Sequence, residues 1–475
     1  MMFMTPKITS KNNDRNRKNI GFVAYNMGHI LYIAQLTGDL EKMDLINSMP
    51  KYEQEHYKLA FDSLIEDNIL VLQKKDRKKE NYVINSKKAD YVKELIHVFV
   101  RGTKVEKKVR EIPRNPFYHR GPIKTTDDFI GRRNIISHIF DRLRHTEDCS
   151  IIGPRAIGKT SLLHYISNKD VVKKHHLDTK KYLFVYYDLE GFGESTEVKD
   201  FYYEMFAKTV SQIYQEESIS EDEIKNINKD SGNTIKKIKR SLFEIADLEN
   251  LIGSLSERDY SIVYLFDEFD YLANNPTFDY SFYGQLRAFS GNPGYKVAFV
   301  TASKRSIYDL TFMEEIKTSP FFRYFEDFRL GLMDRKEIMG FFDMAAKNGV
   351  IFSNEMKNAI VKWSGGHPFL AQLASDYFFD LAVEGYDLKL EDAENHLQKF
   401  LKTHKKHFAY FWKQVSKKEQ SCLLKLAQGK TIGTDCKRIL NALEESYLVQ
   451  RKDGNYVIFS QAFEKFVAEL AFSIS

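Results

Sequence analysis

Glycine, lysine and threonine occur in residues 150–161 at the spacing that phosphate binding requires. The segment reads SIIGPRAIGKTS and fits G-x-x-x-x-G-K-[ST], between a predicted apolar strand and a predicted amphipathic helix at 159–167. In such a loop, backbone N–H groups surround phosphate oxygens and the helix N-terminus adds the positive end of its dipole. We expect Lys159 to neutralise the β- and γ-phosphates of a nucleoside triphosphate and Thr160 to ligate Mg²⁺. The residues expected to hold the phosphates are Gly153, Pro154, Arg155, Ala156, Ile157, Gly158, Lys159, Thr160 and Ser161.

Two carboxylates follow a second apolar segment, at the end of the sequence IVYLFDE. A central strand is predicted there, with Asp267 and Glu268 at its carboxyl end, where ligands bind in open α/β sheets. We expect Asp267 to hold Mg²⁺ through water. Glu268 would polarise the attacking water as a general base, so the pair predicts hydrolysis of the triphosphate.

Three more segments contain candidate residues. VAFVTAS, at 297–303, predicts a buried strand whose Thr301 or Ser303 senses the γ-phosphate or positions the water. Arg323 could reach the γ-phosphate of a neighbouring subunit or form a surface ion pair, and the sequence leaves both open. WSGGHPFL predicts a turn between two helices, with Pro368 at the start of the second. Such a turn, placed over the nucleotide, would also bring His367 and Pro368 beside base or phosphate.

Strands and helices alternate through the middle of the chain, which predicts a parallel sheet with helices on both faces. Residues 216–240 are charged and lack an apolar period, so they are predicted to be an exposed insertion. Residues 334–390 are predicted to be entirely helical. The strands are expected near 150–153, 182–188, 262–267, 297–301 and 328–330.

The two ends of the chain have similar patterns. Residues 64–86 and 443–460 each predict a helix end, a short strand, a charged turn and a strand containing NYVI. Amphipathic helices precede both hairpins, and Asp453-Gly454 is a strong hairpin turn. Helices followed by a two-stranded wing are typical of a winged helix, which binds DNA or protein. The preceding helices are predicted at 52–67, 417–427 and 434–445.

The 475 residues predict two to four domains, and 43% apolar with 29% charged residues exclude a mostly disordered chain. Three cysteines without metal-site spacing predict neither a disulfide framework nor a zinc site, and favour a reducing, cytoplasmic location. Residues 19–38 carry no charge, but their polar residues favour a buried helix over a membrane span. Residues 1–120 carry 23 basic and 15 acidic residues and residues 401–475 carry 13 and 7, against 35 and 44 between them. Basic ends can bind nucleic acid or merely solvate the surface.

Taken in order, these motifs resemble the STAND branch of the AAA+ ATPases and related prokaryotic ATPases with a helical lid and a C-terminal winged helix. The resemblance covers residues 127–475. It implies that Phe129, Ile130 and Arg132 pack beside adenine and that the turn at His367 and Pro368 contacts the base. It also implies a switch in which ADP holds a closed monomer and ATP permits assembly. The matching pieces are FIGRRNII, GPRAIGKTSLL, LFDEFD, VTAS and GGHPFL.

The predicted fold is an α/β P-loop AAA+ core with a helical lid and N- and C-terminal winged-helix-like domains. One functional hypothesis is a slow ATPase switch that forms homo-oligomers, uses ATP/ADP and Mg²⁺, and recruits a separate effector, with bacterial defence against mobile elements as a context. The alternative is a DNA-loading ATPase that grips double-stranded DNA. No sensor repeats or effector motif are found in the sequence. The expected domains are 1–100 (winged-helix-like), 101–126 (basic linker), 127–332 (ATPase core), 333–400 (lid) and 401–475 (winged helix).

Overall fold

The chain forms two compact units, residues 1–112 and 113–475. The predicted helix at 19–38 lies mostly outside the described residues, although Ile30, Leu31 and Ala34 are buried. Among the described residues, no helix is both long and apolar enough to span a bilayer. The computed structural model describes residues 30–31, 34, 40–48, 54–66, 68–76, 79–88, 92, 113–118, 120–193, 196–237, 240–311, 321–386, 388–430 and 432–474.

The first unit combines helices with a small antiparallel sheet of order β1-β3-β2. Phe61 and Tyr82 pack edge-to-face in its core, with ring centroids 5.2 Å apart. The helix and the two strands predicted from the first NYVI segment are present, while the interpretation of this unit as a winged helix stays a prediction. The elements are β1 (Leu40–Glu41), α1 (Lys42–Ser48), α2 (Gln54–Glu66), β2 (Leu70–Asp76) and β3 (Lys79–Ile84).

The second unit is built on a five-stranded sheet of order β5-β6-β7-β4-β8, in which every neighbouring pair is parallel. Its strands lie within a few residues of their predicted positions, because buried parallel strands appear in sequence as short apolar runs. The sheet and the elements around it are α3 (Arg133–Arg144), β4 (Cys149–Ile152), α4 (Lys159–Ile166), α5 (Lys169–Lys174), β5 (Tyr182–Asp188), α6 (Val198–Gln215), α7 (Glu221–Asp230), α8 (Ile245–Glu257), β6 (Ser261–Asp267), α9 (Asp270–Ala273), α10 (Tyr280–Gly291), β7 (Val297–Ser303), α11 (Ile307–Thr311) and β8 (Glu326–Arg329).

Both faces of this sheet are covered by helices, as predicted. Side chains of a strand alternate between the two faces, and β6 shows this clearly. Val263 and Leu265 join a hydrophobic cluster with α3 and α4. Tyr264 and Phe266 join the opposite cluster with α6, α8 and α10. The strand is buried along its whole length, which places the two carboxylates that follow at the rim of a rigid core.

The prediction that residues 216–240 form an exposed insertion is wrong in part, since most of the described residues are exposed but several are buried. The segment contains α7 and a 3₁₀ turn, and it packs on the sheet domain through Ile219, Ile227 and Ile235, all at least 94% buried. These three residues come from a loop, a helix and a 3₁₀ turn. Because each belongs to a different local structure, no single period joins them in the sequence.

In the part of the second unit that the structure describes, seven helices and a hairpin follow the sheet, in agreement with the predicted helical region. One continuous hydrophobic cluster joins them, from Ile338 to Val467. The predicted boundary between residues 400 and 401 falls inside one of these helices, α15. The elements are α12 (Arg335–Lys347), α13 (Asn354–Ser364), α14 (Pro368–Val383), α15 (Ala393–Lys413), α16 (Lys417–Ala427), α17 (Thr434–Glu445), β9 (Val449–Lys452), β10 (Asn455–Ile458) and α18 (Gln461–Ile474).

The C-terminal module, which we define as residues 417–474, has the predicted helix–helix–hairpin order and a further helix. Asp453 and Gly454 both have positive φ, 51° and 82°, as a tight hairpin turn of type I′ requires. Cys422 and Cys436 form a disulfide between α16 and α17. A single disulfide is not the framework that the sequence excludes, but the sequence does not indicate this pair, because the two cysteines meet only when the two helices pack.

The second half of the predicted linker is folded against α14, and we call residues 113–126 the strap. Phe117 is 1% exposed and packs in the helical core. Asn115 donates hydrogen bonds to the carboxylates of Asp376 and Asp380, at 2.9 and 2.8 Å. Arg120 forms an ion pair with Asp376. The prolines of the strap predict irregular structure, and the strap is irregular. Asn115 and Arg120 nevertheless fasten it to α14.

Candidate nucleotide-binding site

The loop between β4 and α4 has a tight geometry that requires glycine at two positions. Gly158 has φ of 101° and precedes the first residue of α4, in a conformation that other residues rarely adopt. A Cβ at Gly153 would lie 2.6 Å from the carbonyl oxygen of Leu330. The predicted phosphate loop is thus formed by a strand, a glycine-containing turn and the start of a helix.

Lys159 lies inside this loop and is only 5% exposed. Its Nζ donates hydrogen bonds to the carbonyl oxygens of Gly153, at 2.9 Å, and Pro154, at 3.2 Å. Burial lowers the pKa of Lys159, while Glu268, Asp270 and Asp267 act against this shift. An ammonium group surrounded by backbone oxygens can exchange them for phosphate oxygens without leaving the loop.

Asp267 ends β6 and is 2% exposed. One of its carboxylate oxygens accepts a hydrogen bond from Tyr186 Oη, at 2.8 Å, and the other from the Glu268 backbone N–H, at 3.0 Å. Burial raises the pKa of Tyr186, and the neighbouring Asp267 raises it further. These bonds fix the carboxylate while leaving further lone pairs for a ligand.

Glu268 is held in a left-handed backbone conformation, with φ of 52°. Strain of this kind in a residue other than glycine persists only where the surroundings enforce it, commonly at functional sites. Its Oε2 is buried and has no hydrogen-bond partner among the residues that the structure describes. A buried carboxylate oxygen without a partner is unfavourable by itself, and it is explained if a water or ligand occupies the site.

Thr301 and Ser303 lie in β7 with different hydroxyl environments. The Thr301 side chain is fully buried, and its Oγ1 finds no partner within the described part of the chain. It is paired in register with Ser150 of β4. The Ser303 hydroxyl donates to the carbonyl oxygen of Arg305, at 2.6 Å. Of the two candidates, Thr301 therefore retains the uncommitted hydroxyl.

A cavity of about 390 Å³ joins the phosphate loop, the strap and the helical region. Its size is that of a small-molecule site. The strap and α15 contribute residues that sequence reasoning missed, among them Ile123, His407 and Tyr410. Only contact across nearly 300 residues of sequence brings them here, so no local pattern could indicate them. The predicted residues that line the cavity are Phe129, Ile130, Arg132, Ala156, Ile157, Gly158, Lys159, Thr160, Ser161, Glu268 and Pro368.

The other predicted residues lie outside this lining. Arg323 is exposed in a 3₁₀ turn, Phe321–Tyr324. Ser161, which lines the cavity, uses its hydroxyl to accept a hydrogen bond from the Ile123 backbone of the strap, at 3.0 Å. The remaining predicted residues that do not line the cavity are Gly153, Pro154, Arg155, Asp267, Thr301, Ser303 and His367.

The segment with the sequence FIGR fastens α12 to the sheet domain. Phe129 stacks on Tyr165 of α4, with ring centroids 4.2 Å apart. The Arg132 backbone N–H donates to Glu337 Oε1 at 2.6 Å, and its Nη2 donates to the Gly331 carbonyl oxygen at 2.6 Å. Burial lowers the pKa of Arg132, and Glu337 opposes this shift. Arg132 thus orders the cavity wall by joining two domains.

The GGHP turn separates its two predicted binding residues. Pro368 lines the cavity, whereas His367 does not line it and packs against Phe411, with ring centroids 5.1 Å apart. A Cβ on Gly365 would lie 1.8 Å from the Phe459 carbonyl oxygen. Burial, with a smaller contribution from the charge of Arg132, lowers the pKa of His367 to about 3. His367 is therefore neutral near pH 7.

The sheet order, the phosphate loop and the acidic strand end give the second unit the fold of AAA+ P-loop ATPases, as predicted. A Walker-type ATPase of Pyrococcus abyssi has the same fold, with TM-score 0.50 and 12% identity over 74% of this chain and 99% of its own. The Aeropyrum pernix ORC2 protein, solved with ADPNP and ADP, gives TM-score 0.47 and 15% identity, over 76% and 98%. The Aeropyrum pernix ORC1 protein, solved with DNA, gives 0.37 and 10%, over 76% and 97%.

The family described as Novel STAND NTPase 2 matches residues 254–432, which is less than half of the chain. The matched part runs from the end of α8 through the acidic pair and the helical region to the start of the C-terminal module. Together with the fold, this match confirms the resemblance to STAND-type P-loop ATPases. No curated protein matches the sequence.

Proposed function

We propose that this protein is an ATP-binding and ATP-hydrolysing switch of the STAND type, acting in the cytoplasm. One observation carries the proposal. The buried ammonium of Lys159, the hydroxyl of Thr160 and the carboxylate of Glu268 all line one cavity. A cation and a neutral oxygen ligand at the start of a helix, together with a base at the end of a strand, are the groups that phosphoryl transfer to water requires.

The residues around Lys159 fit Mg²⁺ as a cofactor. The ion prefers oxygen ligands, and Thr160 and Asp267 supply a hydroxyl and a fixed carboxylate. The unpaired buried oxygen of Glu268 adds a negative charge next to them. When bound, Mg²⁺ would neutralise phosphate charge, and Thr160 and Asp267 would hold it. Glu268 would accept a proton from the attacking water, and Lys159 would hold the phosphate oxygens.

The apolar part of the cavity suits a planar base. Phe129 and Ile130 come from the sheet domain and Pro368 from the helical region, so a base between them would touch both. ATP and ADP would then bind between two domains, and loss of the γ-phosphate would act on one wall of the cavity. Such differential contact is what a nucleotide-dependent switch needs.

We infer that the output of the switch is assembly and recruitment of a separate effector protein. Arg323 supports this proposal because it is exposed and available to a second copy of the chain. An arginine supplied in trans would stabilise transition-state charge in the neighbouring site. Defence against mobile elements is the biological context that we propose, and slow turnover suits a protein that acts once per stimulus.

Phosphate release from ATP tests the chemistry, and particle mass tests the assembly. We expect turnover by the natural chain and none by Lys159→Ala. Particle mass is measured with ATP and with ADP, for the natural chain and for Glu268→Gln. The mass should increase in Glu268→Gln with ATP, because this variant traps the nucleotide. Equal phosphate release by the natural chain and Lys159→Ala would exclude hydrolysis at this site. A constant mass in every state would exclude the assembly.

A DNA-loading ATPase is the second candidate, favoured by the surface of the C-terminal module. Lys437, Arg438 and Lys452 are all exposed and come from α17 and the hairpin, the elements that contact DNA in winged helices. Arg451 is occupied by Glu444 and Asn441, so it contributes less. Affinity for duplex DNA should fall steeply with salt, and Lys437→Gln should reduce that slope by about one. A salt-independent interaction would reject this function.

A further inference from the structure

A second cavity of about 380 Å³ lies on the other side of the phosphate loop. Its walls come from the start of that loop, from the ends of β7 and β8, and from the C-terminal module. The segment from Ile152 to Arg155 faces this cavity, whereas Ala156 to Ser161 face the nucleotide cavity. The two cavities therefore receive different parts of one loop and can hold different ligands.

Cationic side chains from three separate elements line this second cavity. Arg155 comes from the phosphate loop, Lys304 and Arg305 follow β7, and Arg329 ends β8. Lys304 and Arg329 form no hydrogen bond or ion pair through their side chains within the ranges that the structure describes, although Arg329 interacts electrostatically with Asp327. Arg305 approaches Asp270 only to 3.9 Å. Most of this positive charge is thus available to a ligand.

Three carboxylates also line the cavity, but two of them are already used. Asp309 accepts a hydrogen bond from the Ser306 hydroxyl, at 2.6 Å. Glu419 accepts one from the Ser416 backbone in the capping box of α16, at 2.6 Å. These neutral donors leave both charges in place, so with the exposed Glu445 three carboxylates face four cations, and the lining keeps one net positive charge. The charge balance at this cavity therefore favours an anion.

Two buried polar atoms of the cavity-lining residues lack partners. His367 is 97% buried. Its imidazole is hydrogen-bonded to the Arg155 backbone, whereas its Nδ1 makes no hydrogen bond within the part of the chain that the structure describes. The buried Nε of Arg155 likewise has no hydrogen-bond partner among the described residues. Buried polar atoms are nearly always hydrogen-bonded. Two atoms without partners, both on residues that line one cavity, therefore indicate a ligand or water there.

We propose that this cavity binds the phosphate group of a small molecule, or inorganic phosphate itself, independently of the nucleotide site. Arg329 and Lys304 hold the phosphate oxygens from the sheet domain. Part of the remaining wall, Ala442 and residues 445–448, belongs to the C-terminal module, so a bound anion would lie between that module and the ATPase core. Occupancy of this site would oppose separation of the two.

The test measures phosphate binding by calorimetry to the full chain with Lys159→Ala, because phosphate also fits the nucleotide loop. Inorganic phosphate and AMP are the two probes, and they distinguish a free anion from a phosphorylated small molecule. We expect saturable binding in this background and at least about a tenfold loss when Arg329→Gln is added, since a charged hydrogen bond is removed. Arg335→Gln removes an exposed arginine outside the cavity and should change nothing.

Lys304→Gln provides a second variant at an exposed loop position where folding should be unaffected, and it should also weaken binding. Melting temperature without phosphate confirms that each variant is folded. The proposal is overturned if Lys159→Ala shows no saturable phosphate binding. It is equally overturned if Lys304→Gln and Arg329→Gln, when folded, bind as tightly as Arg335→Gln. Neither readout uses ATP turnover, so the result is independent of the proposed hydrolysis.

Discussion

Arg155 of the phosphate loop donates a hydrogen bond from Nη1 to the hydroxyl of Tyr410 on α15, at 2.7 Å. This bond is the first cause of the raised pKa of Arg155, and Glu268 adds to it. α15 continues into the C-terminal module and shares its hydrophobic core. The bond therefore connects the loop that would hold phosphates with α15, which packs against the C-terminal module.

We expect Tyr410→Phe to speed ADP dissociation a few-fold, because it removes this connection and leaves the ring in place. A net hydrogen bond is worth about 0.5–1.5 kcal/mol, which sets that scale. Stopped-flow release of a fluorescent ADP measures the effect. Tyr308→Phe alters an exposed tyrosine outside the nucleotide cavity and is the matched control. Equal release rates for both variants would contradict the connection.

Glu268→Gln should leave ATP binding nearly unchanged and reduce hydrolysis by about 10²-fold or more, because the base is lost. The matched control is Asp188→Asn, which alters an exposed carboxylate at the end of the neighbouring strand β5. Single-turnover phosphate release and equilibrium nucleotide binding separate the two effects. Equal loss of hydrolysis in both variants would point to strand-end charge and not to the role of Glu268.

Gly365→Ala should destabilise the second unit strongly, since its Cβ would meet the Phe459 carbonyl oxygen. Gly385 offers a matched comparison, with φ of 78° and open space around its Cβ position. Both variants carry the strain of positive φ, about 1–2 kcal/mol. Only Gly365→Ala adds overpacking, so its free energy of unfolding should fall by about a further 1–3 kcal/mol. Urea unfolding measures the difference, and equal losses would show that the turn accommodates the methyl group.

His367 makes the stability of the fold depend on pH in a defined direction. Its pKa falls from the ordinary 6.5 to about 3 in the folded chain, so only the unfolded chain takes up the proton between these values. The free energy of unfolding should therefore decrease as pH falls below about 6.5. His367→Phe should lose less stability than the natural chain between pH 6.5 and 4. Unfolding curves of both proteins, measured at several pH values, test this prediction. An identical dependence of the free energy of unfolding on pH would refute it.

The phosphate loop and the acidic strand end could be predicted because each is a local pattern next to a buried strand. Lys159, Thr160 and Glu268 indeed line one cavity. The sequence does not indicate the strap or Tyr410, because they reach the site only through tertiary packing. His367 is a further example. The sequence predicts the turn that contains it, but not that His367 lies outside the lining of the nucleotide cavity.

The hydrophobic cluster that runs from Ile338 to Val467 has a consequence for dividing the protein into fragments. His367 packs against Phe411, and Phe400 packs against Phe408, so aromatic pairs cross the predicted boundary between residues 400 and 401. A truncation at residue 400 would strip these rings of their partners and leave an aggregation-prone fragment. The helices after the sheet should therefore unfold in one cooperative transition and move as one rigid body.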